Sequence, residues 1–331
     1  MKIINVAILF VLAIFPMFMI QHQEIRWQHE AQYLEHMYDL YLDTAVKDAV
    51  AVLGTSRLKD GDRHVSDIRF DLNLDEAIRA FTKSLTQNFG ADGNEYTQKH
   101  VLSYVPAVAV IDYDGFYIWA LDEYTDSSGA RRLEHVWRAK MPYAYSDSSG
   151  NSISFTLDDY VHVFVQSTGQ WFEGTFDELR GKTSVAVLND RDLFERMKRQ
   201  TIINLLQDSL EYHINRHTQL VYNIGVKYTF VLPYIDDDAW TNTISDVGML
   251  AFLQGIPVGT REYNNFALGG AKLLRKSSVI GTTRNSDGKR YYFDSRCSIP
   301  AGYTRIEVFQ SKFDAAKAGY IPVDCLNPGV V

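Results

Sequence analysis

The sequence predicts an α+β fold: an N-terminal transmembrane helix continuing into a long amphipathic helix, then antiparallel sheet with a second long helix and a small C-terminal αβ subdomain. Three observations predict it. Residues 3–20 carry no charge and a single polar side chain, Asn5. Two later stretches repeat their apolar residues at the 3.6-residue period of helices. Around them, short aromatic-rich runs alternate with turn residues, as antiparallel strands do.

The composition suits this class. With 331 residues, 46% hydrophobic and 13% aromatic, the chain has material for one large or two ordinary domains with filled cores. A net charge of −8, with Lys and Arg scattered among Asp and Glu, leaves no basic surface and argues against nucleic acid as a partner. Twenty Tyr and 18 Phe against 8 Pro favour half-buried strands with aromatic cross-strand pairs.

Residues 1–20 read as a transmembrane anchor. Eighteen apolar residues at 1.5 Å rise give about 27 Å, close to the roughly 30 Å of hydrocarbon that a span crosses, and Pro16 kinks the helix. A cleaved signal peptide is the alternative, but PMFMIQHQEIRW offers no small-residue cleavage site. Lys2 before the span and a balanced Glu24 and Arg26 after it place the N-terminus in the cytoplasm and the head outside, in a single-pass protein of the cell membrane. Residues 21–54 then form a spine helix. Trp27, Ala31, Leu34, Tyr38, Tyr41, Ala45 and Val52 fall on one stripe suited to packing with a partner helix, and Gly54 ends it.

Residues 55–288 form an extracytoplasmic α+β head. Asn73 caps a helix whose buried face is Leu74, Ile78, Phe81, Leu85 and Phe89, with Gly90 as its stop. Strands VLSYVPAVAVI and FYIWALDEY flank Asp112-Tyr113-Asp114-Gly115, a hairpin signal. Strands over 133–145 and 152–166 join at Ser148-Ser149-Gly150-Asn151, and a short strand covers 183–188. Asn189 or Asp190 caps a second long helix over 191–222, with a core stripe of Leu193, Met197, Ile202 or Ile203, Leu206, Leu210, Ile214 and Leu220. The run KYTFVLPY is strand-like, residues 236–253 are helical, and strands follow at 271–280, 290–293 and 305–309, with a helix at 312–318.

The chemistry-bearing residue types assemble into no catalytic motif, and no cofactor is implied. Asp236-Asp237-Asp238 lacks the further ligands of a cation loop and reads as an acidic helix start. His22, His29 and His36 lie seven apart, on one helical face but too distant along the axis to share a metal, and His64 follows. Gly269-Gly270 reads as a turn, and Trp119, Trp137, Trp171 and Trp240 as core or sheet-face residues. The two cysteines, Cys297 and Cys325, are 28 apart, and outside the cytoplasm such a pair is most simply a disulfide.

The region 289–331 resembles the small zinc-binding fold of the Ada amino-terminal type, on Cys297, Phe309, Ser311, Ala315, Ala318, Gly319, Tyr320, Pro322 and Pro328. That resemblance implies a four-ligand zinc site. Val323 and Leu326 stand where the two closing cysteines belong, and only Asp294 is placed to add a ligand before Cys297, which favours a bridge over a metal.

The layout of apolar segment, continuous amphipathic helix and αβ head, with YDLYLDTAVKDAVAVLGTSR after the apolar part, resembles pilins and the pilin-like proteins of tight-adherence (Tad) pilus systems. This implies a non-enzymatic structural or secretion-system component whose partners are membrane lipid and other single-span or pilin-like subunits. The prepilin glycine and glutamate are absent. A long helix leading to AVAVIDYDGFYIWA is also similar to Cache-type sensors, which implies a ligand-binding domain working with a partner. A surface adhesin binding glycans through exposed Trp and Tyr is a further alternative.

Overall fold

One helix, α1 (Ile3–Leu53), runs without a break through both the apolar segment and the spine, 51 residues and about 76 Å. The computed structural model describes residues 3–53, 72–223, 225–235, 240, 244, 246–270, 279–294, 299–309 and 312–323. The transmembrane segment expected over 1–20 is corrected: among the described residues, no helix is long and apolar enough to cross a membrane. The same helix passes directly from the apolar run into exposed, largely polar turns at 22–24 and 26–30.

The chain divides into two compact units, Met1–Ala271 and Lys272–Val331. The α+β class holds in both. At the centre of the first unit is an antiparallel sheet ordered β10-β9-β1-β2-β3, from β1 (Ala107–Ile111), β2 (Gly115–Thr125), β3 (Arg131–Trp137), β9 (Gly248–Val258) and β10 (Arg261–Gly270), with the short β4 (Met141–Pro142) also on β2. Strand β1 is buried along its whole length, because side chains alternate across the pleat and both faces are covered. Ala107, Ala109 and Ile111 join the cluster that packs on α5 (Arg191–Tyr222). Val108 and Val110 are fully buried on the opposite face, where α1 and α2 (Leu74–Asn88) lie.

Both long helices of the head start where a cap satisfies an orphan N–H. Asn73 accepts from the Glu76 amide at 3.2 Å, and Asp190 accepts from that of Leu193 at 3.1 Å. Helix α2 buries Ala77, Ile78, Phe81 and Leu85. Helix α5 buries Ile202, Leu206, Leu210, Ile214 and Val221, whereas Leu193 is exposed. The N-terminal part of α5 also covers a four-stranded meander of β5 (Ala144–Ser146), β6 (Ser152–Phe155), β7 (Tyr160–Val165) and β8 (Gln170–Thr175), through Phe194 against Phe155 and Phe176. Phe176 belongs to the one-turn helix α4 (Phe176–Leu179), which Thr175 and Glu178 close with a capping box.

Several elements differ from the sequence-based expectation. Residues 95–102, within and before the expected first strand, form helix α3 (Glu95–Leu102), which Asn94 starts by accepting from the Tyr96 amide at 2.8 Å. The strand expected over 152–166 is two, split by a turn in which Asp159 takes φ +68°. The strand expected over 183–188 is a single 3₁₀ turn at Ala186–Leu188. Residues 248–253 belong to strand β9 rather than a helix. Their unbroken apolar run, buried on both faces, shows no alternation, and only pairing with β1 and β10 distinguishes it.

The run KYTFVLPY is extended but unpaired as a strand. Gln254, fully buried, fixes it by accepting from the Val231 amide at 3.2 Å and donating to the Val231 carbonyl at 2.8 Å. One side chain thus supplies the pair of hydrogen bonds that a neighbouring strand would.

Gly269 is part of β10 rather than a turn. A Cβ there would lie 2.5 Å from Val46 Cγ1 and 3.0 Å from Val50 Cγ2, so glycine lets α1 settle onto the sheet. The contact is extended by Asp39, which accepts from Tyr263 Oη and Asn265 Nδ2, each at 2.6 Å.

The second unit is a four-stranded sheet, β13-β11-β12-β14, of β11 (Val279–Arg284), β12 (Arg290–Asp294), β13 (Tyr303–Phe309) and β14 (Ile321–Pro322), with helix α6 (Lys312–Lys317). Among the described residues, the β12–β14 pair is the parallel one. Val279, Tyr292, Ala315 and Tyr320 form a core with Phe309, and Tyr291, Phe293 and Val323 form a second with Tyr303.

The approach at Gly269 yields a double-variant test. Gly269→Ala is expected to destabilise the protein by about 1–3 kcal/mol, read as a lowered urea midpoint. Val46→Ala introduced in that background should recover part of the loss, since it removes the methyl that the new Cβ meets.

Candidate functional site

The residues expected to pack against a partner helix divide between two environments. Ala45 is buried in the head, beside Leu42, Val46, Ala49 and Leu53, which were not among those expected. Tyr38 packs on Phe89 and Tyr263 with ring centroids 5.2 and 5.4 Å apart, and Tyr41 meets Phe89 at 5.2 Å. Leu34, Ala31 and Val52 are half-buried. Trp27 is 58% exposed. The C-terminal half of α1 is therefore core, and a cut near residue 55 removes one wall of that core.

Toward the N-terminus the helix leaves the head. Its described apolar side chains there are open: Phe10 at 63%, Met17 at 57%, with Ile14 and Met19 also exposed. Phe10, Ile14 and Met17, at steps of four and three, share one side of the helix. Where α1 departs, it forms a groove of about 580 Å³ with the β9–β10 turn, lined by Trp27, Ala31 and Glu35 on the helix and by Val258, Gly259 and Arg261 on the turn. On another side of α1 lie the exposed His22, His29 and His36, beside Tyr33 and Leu40, both exposed.

The histidine signal that sequence spacing missed lies elsewhere, between α5 and the sheet. His213 and His217 are one helical turn apart and buried. Nε2 of His217 donates to the Ser103 carbonyl at 2.8 Å, and its ring meets Phe230 edge-on at 4.6 Å. His135 on β3 donates from Nε2 to the Val105 carbonyl at 3.0 Å and stacks on Trp119 at 4.3 Å. Burial lowers all three: His135 and His213 to about 4, and His217 to about 3, with His135 adding to the effect on His217 and Arg138 to that on His213. All three are neutral at pH 7.

Beside them, Asp122 receives Arg138 at 2.7 Å and Arg216 at 2.5 Å. Burial acts to raise its pKa, but the hydrogen bond from Arg216 and the charge of Arg138 prevail and hold the carboxyl below its usual range. This cluster lacks a nucleophile with a base beside it, and among the described residues no three His, Cys, Asp or Glu are grouped to hold a metal ion. His217 ties α5, and His135 ties β3, to the segment that precedes β1, and the charged pair of Arg216 with Asp122 ties α5 to β2.

Lys140 bridges Asp112, at 2.6 Å, and Asp114 across the β1–β2 turn. Lys198 and Arg191 both engage Asp159. These acidic residues thus have cationic partners supplied by the chain itself.

Asp236, Asp237 and Asp238, His64, Cys297 and Cys325 lie outside the described residues. No disulfide is present among the described residues, and the bridge expected between Cys297 and Cys325 falls outside them. No known protein family matches this chain, and neither a curated protein nor a solved structure was found similar to it.

The buried histidines give a pH dependence with a definite sign. Their folded-state values lie below the ordinary 6.5, so the unfolded chain binds more protons as pH falls. Their stabilising contribution is complete above pH 6.5 and is lost as pH drops through 6.5 toward 4 and 3. Thermal melts between neutral pH and pH 4 are expected to show a steady fall that His217→Gln makes shallower.

Proposed function

We propose that this protein is a non-enzymatic structural subunit that assembles through the projecting part of α1, in the manner of pilin-like proteins. The observation that carries this reading is the division of α1. Its second half is locked into the head by Gly269, Asp39 and a row of buried alanine, valine and leucine side chains. In its first half Phe10, Ile14, Met17 and Trp27 are exposed. Most of a helix's stability in water comes from packing its apolar face rather than from propensity. A rigid helix held at one end and apolar at the other is suited to packing with copies of itself or with related subunits.

Sedimentation velocity tests this. The full chain is expected to self-associate as its concentration rises, and a chain lacking residues 1–30 to be monomeric with a melting temperature within a few degrees of the full chain. A chain lacking residues 1–53 is expected to unfold, because that cut removes the row from Leu42 to Leu53. The proposal is overturned if the full chain stays monomeric throughout, if the chain lacking 1–30 associates as well as the full one, or if α1 binds lipid vesicles as monomers.

A further inference from the structure

The first unit carries a second surface feature, unrelated to α1. Helix α3, the segment 225–228 and the β9–β10 hairpin enclose an open cleft of about 450 Å³, within the roughly 300–1,000 Å³ range of small-ligand sites. Three tyrosines, Tyr96, Tyr104 and Tyr228, line it together with His100, Lys227 and Glu262.

The aromatic lining is built rather than incidental. Gly255 is buried and takes φ +81°, and a Cβ on it would sit 2.7 Å from Tyr228 Cδ1 and 2.8 Å from Cγ. The glycine therefore serves both the backbone turn and the seating of the Tyr228 ring over it. Tyr228 Oη donates to Asn264, which fixes the far end of the ring. Tyr104 is held at its backbone, where its carbonyl accepts from the Gln254 amide at 2.9 Å, and its ring meets His100 edge-on at 5.2 Å. Ser103, at the cleft base, is pinned by the buried His217. Tyr96 is 84% exposed on the first turn of α3.

The charges indicate what such a platform takes. Lys99, also in the lining, is paired with Glu95 at 2.6 Å. Lys227 and Glu262 balance each other in sign. With no surplus of either sign, the cleft has nothing to favour a phosphate, a carboxylate or a polyamine. It offers aromatic surfaces together with ammonium, carboxylate, phenol and imidazole groups that donate and accept hydrogen bonds. A pyranose ring has this dual character, with an apolar C–H face and a rim of hydroxyls. We propose that the Tyr96–Tyr104–Tyr228 cleft binds a neutral oligosaccharide, with sugar rings on the tyrosines and hydroxyls bonded to Lys227 and Glu262.

The test is calorimetric titration of the full chain with cellohexaose, chitohexaose and maltohexaose, and with oligogalacturonate as the charged control. At least one neutral hexasaccharide is expected to bind at millimolar concentration or below, with oligogalacturonate weaker. Tyr104→Ala and Tyr228→Ala are each expected to reduce affinity about tenfold. Tyr104→Phe and Tyr228→Phe, which retain the rings and guard against misfolding, should stay within a few-fold of the parent.

Absence of binding by all three neutral sugars would refute the proposal. So would tighter binding of oligogalacturonate, undiminished affinity in the alanine variants, or a tenfold loss in the phenylalanine variants. Binding of a decaproline peptide in place of any sugar would assign the cleft to proline-rich chains instead. None of these results depends on whether α1 self-associates.

Discussion

The fold of the first unit depends on how closely α1 can approach the central sheet. At Gly269 β10 presents no side chain to the helix, and Val46 and Val50 of α1 take the space that a Cβ would need. That approach brings Asp39 within reach of Tyr263 and Asn265, and it allows α2 to be buried against α1. It also buries Val108 and Val110 of β1, which would otherwise face water. Interiors packed at crystal-like density do not accommodate an extra methyl without displacement, so this glycine sets how closely α1 approaches β10.

The opposite face of the sheet is organised by polar contacts inside an apolar surround. Burial keeps His135, His213 and His217 neutral, and in that state His135 and His217 donate to backbone carbonyls that lack a strand partner. Asp122 holds Arg138 and Arg216 at the rim of the same interface. Hydrophobic burial alone would let α5 slide along the sheet; directional hydrogen bonds specify where it stops. The contact from His217 to Ser103 also reaches the base of the tyrosine cleft, so the packing of α5 contributes to the shape of that surface.

The two proposed functional surfaces are held in different ways. The cleft is held by Gly255, Asn264 and Gln254, each of which restrains a tyrosine or its backbone. The N-terminal half of α1 continues a helix whose other half is docked on the sheet. A stiff helix fixed at one end can present its apolar side in a constant direction, and assembly through it leaves the head's surface available for another ligand.

The sequence by itself determined the α+β class, the long helices with their caps at Asn73 and at Asn189 or Asp190, and the hairpin at Asp112–Gly115, because these rest on local spacing and on short polar side chains that bond nearby backbone groups. It also determined that α1 continues from the apolar segment into the amphipathic stripe. Tertiary structure decided the rest. Strand β9 is an apolar run whose period is invisible until both faces are covered, and the KYTFVLPY segment is fixed by one distant glutamine. The glycine pair at 269–270 looks like a turn until α1 is seen to lie upon it. The histidines that matter to packing come from β3 and α5, not from the regular spacing along α1, and the cleft tyrosines are scattered from 96 to 228. Local rules act over a few residues, whereas which face is buried, and against what, is settled by contacts between segments far apart in the chain.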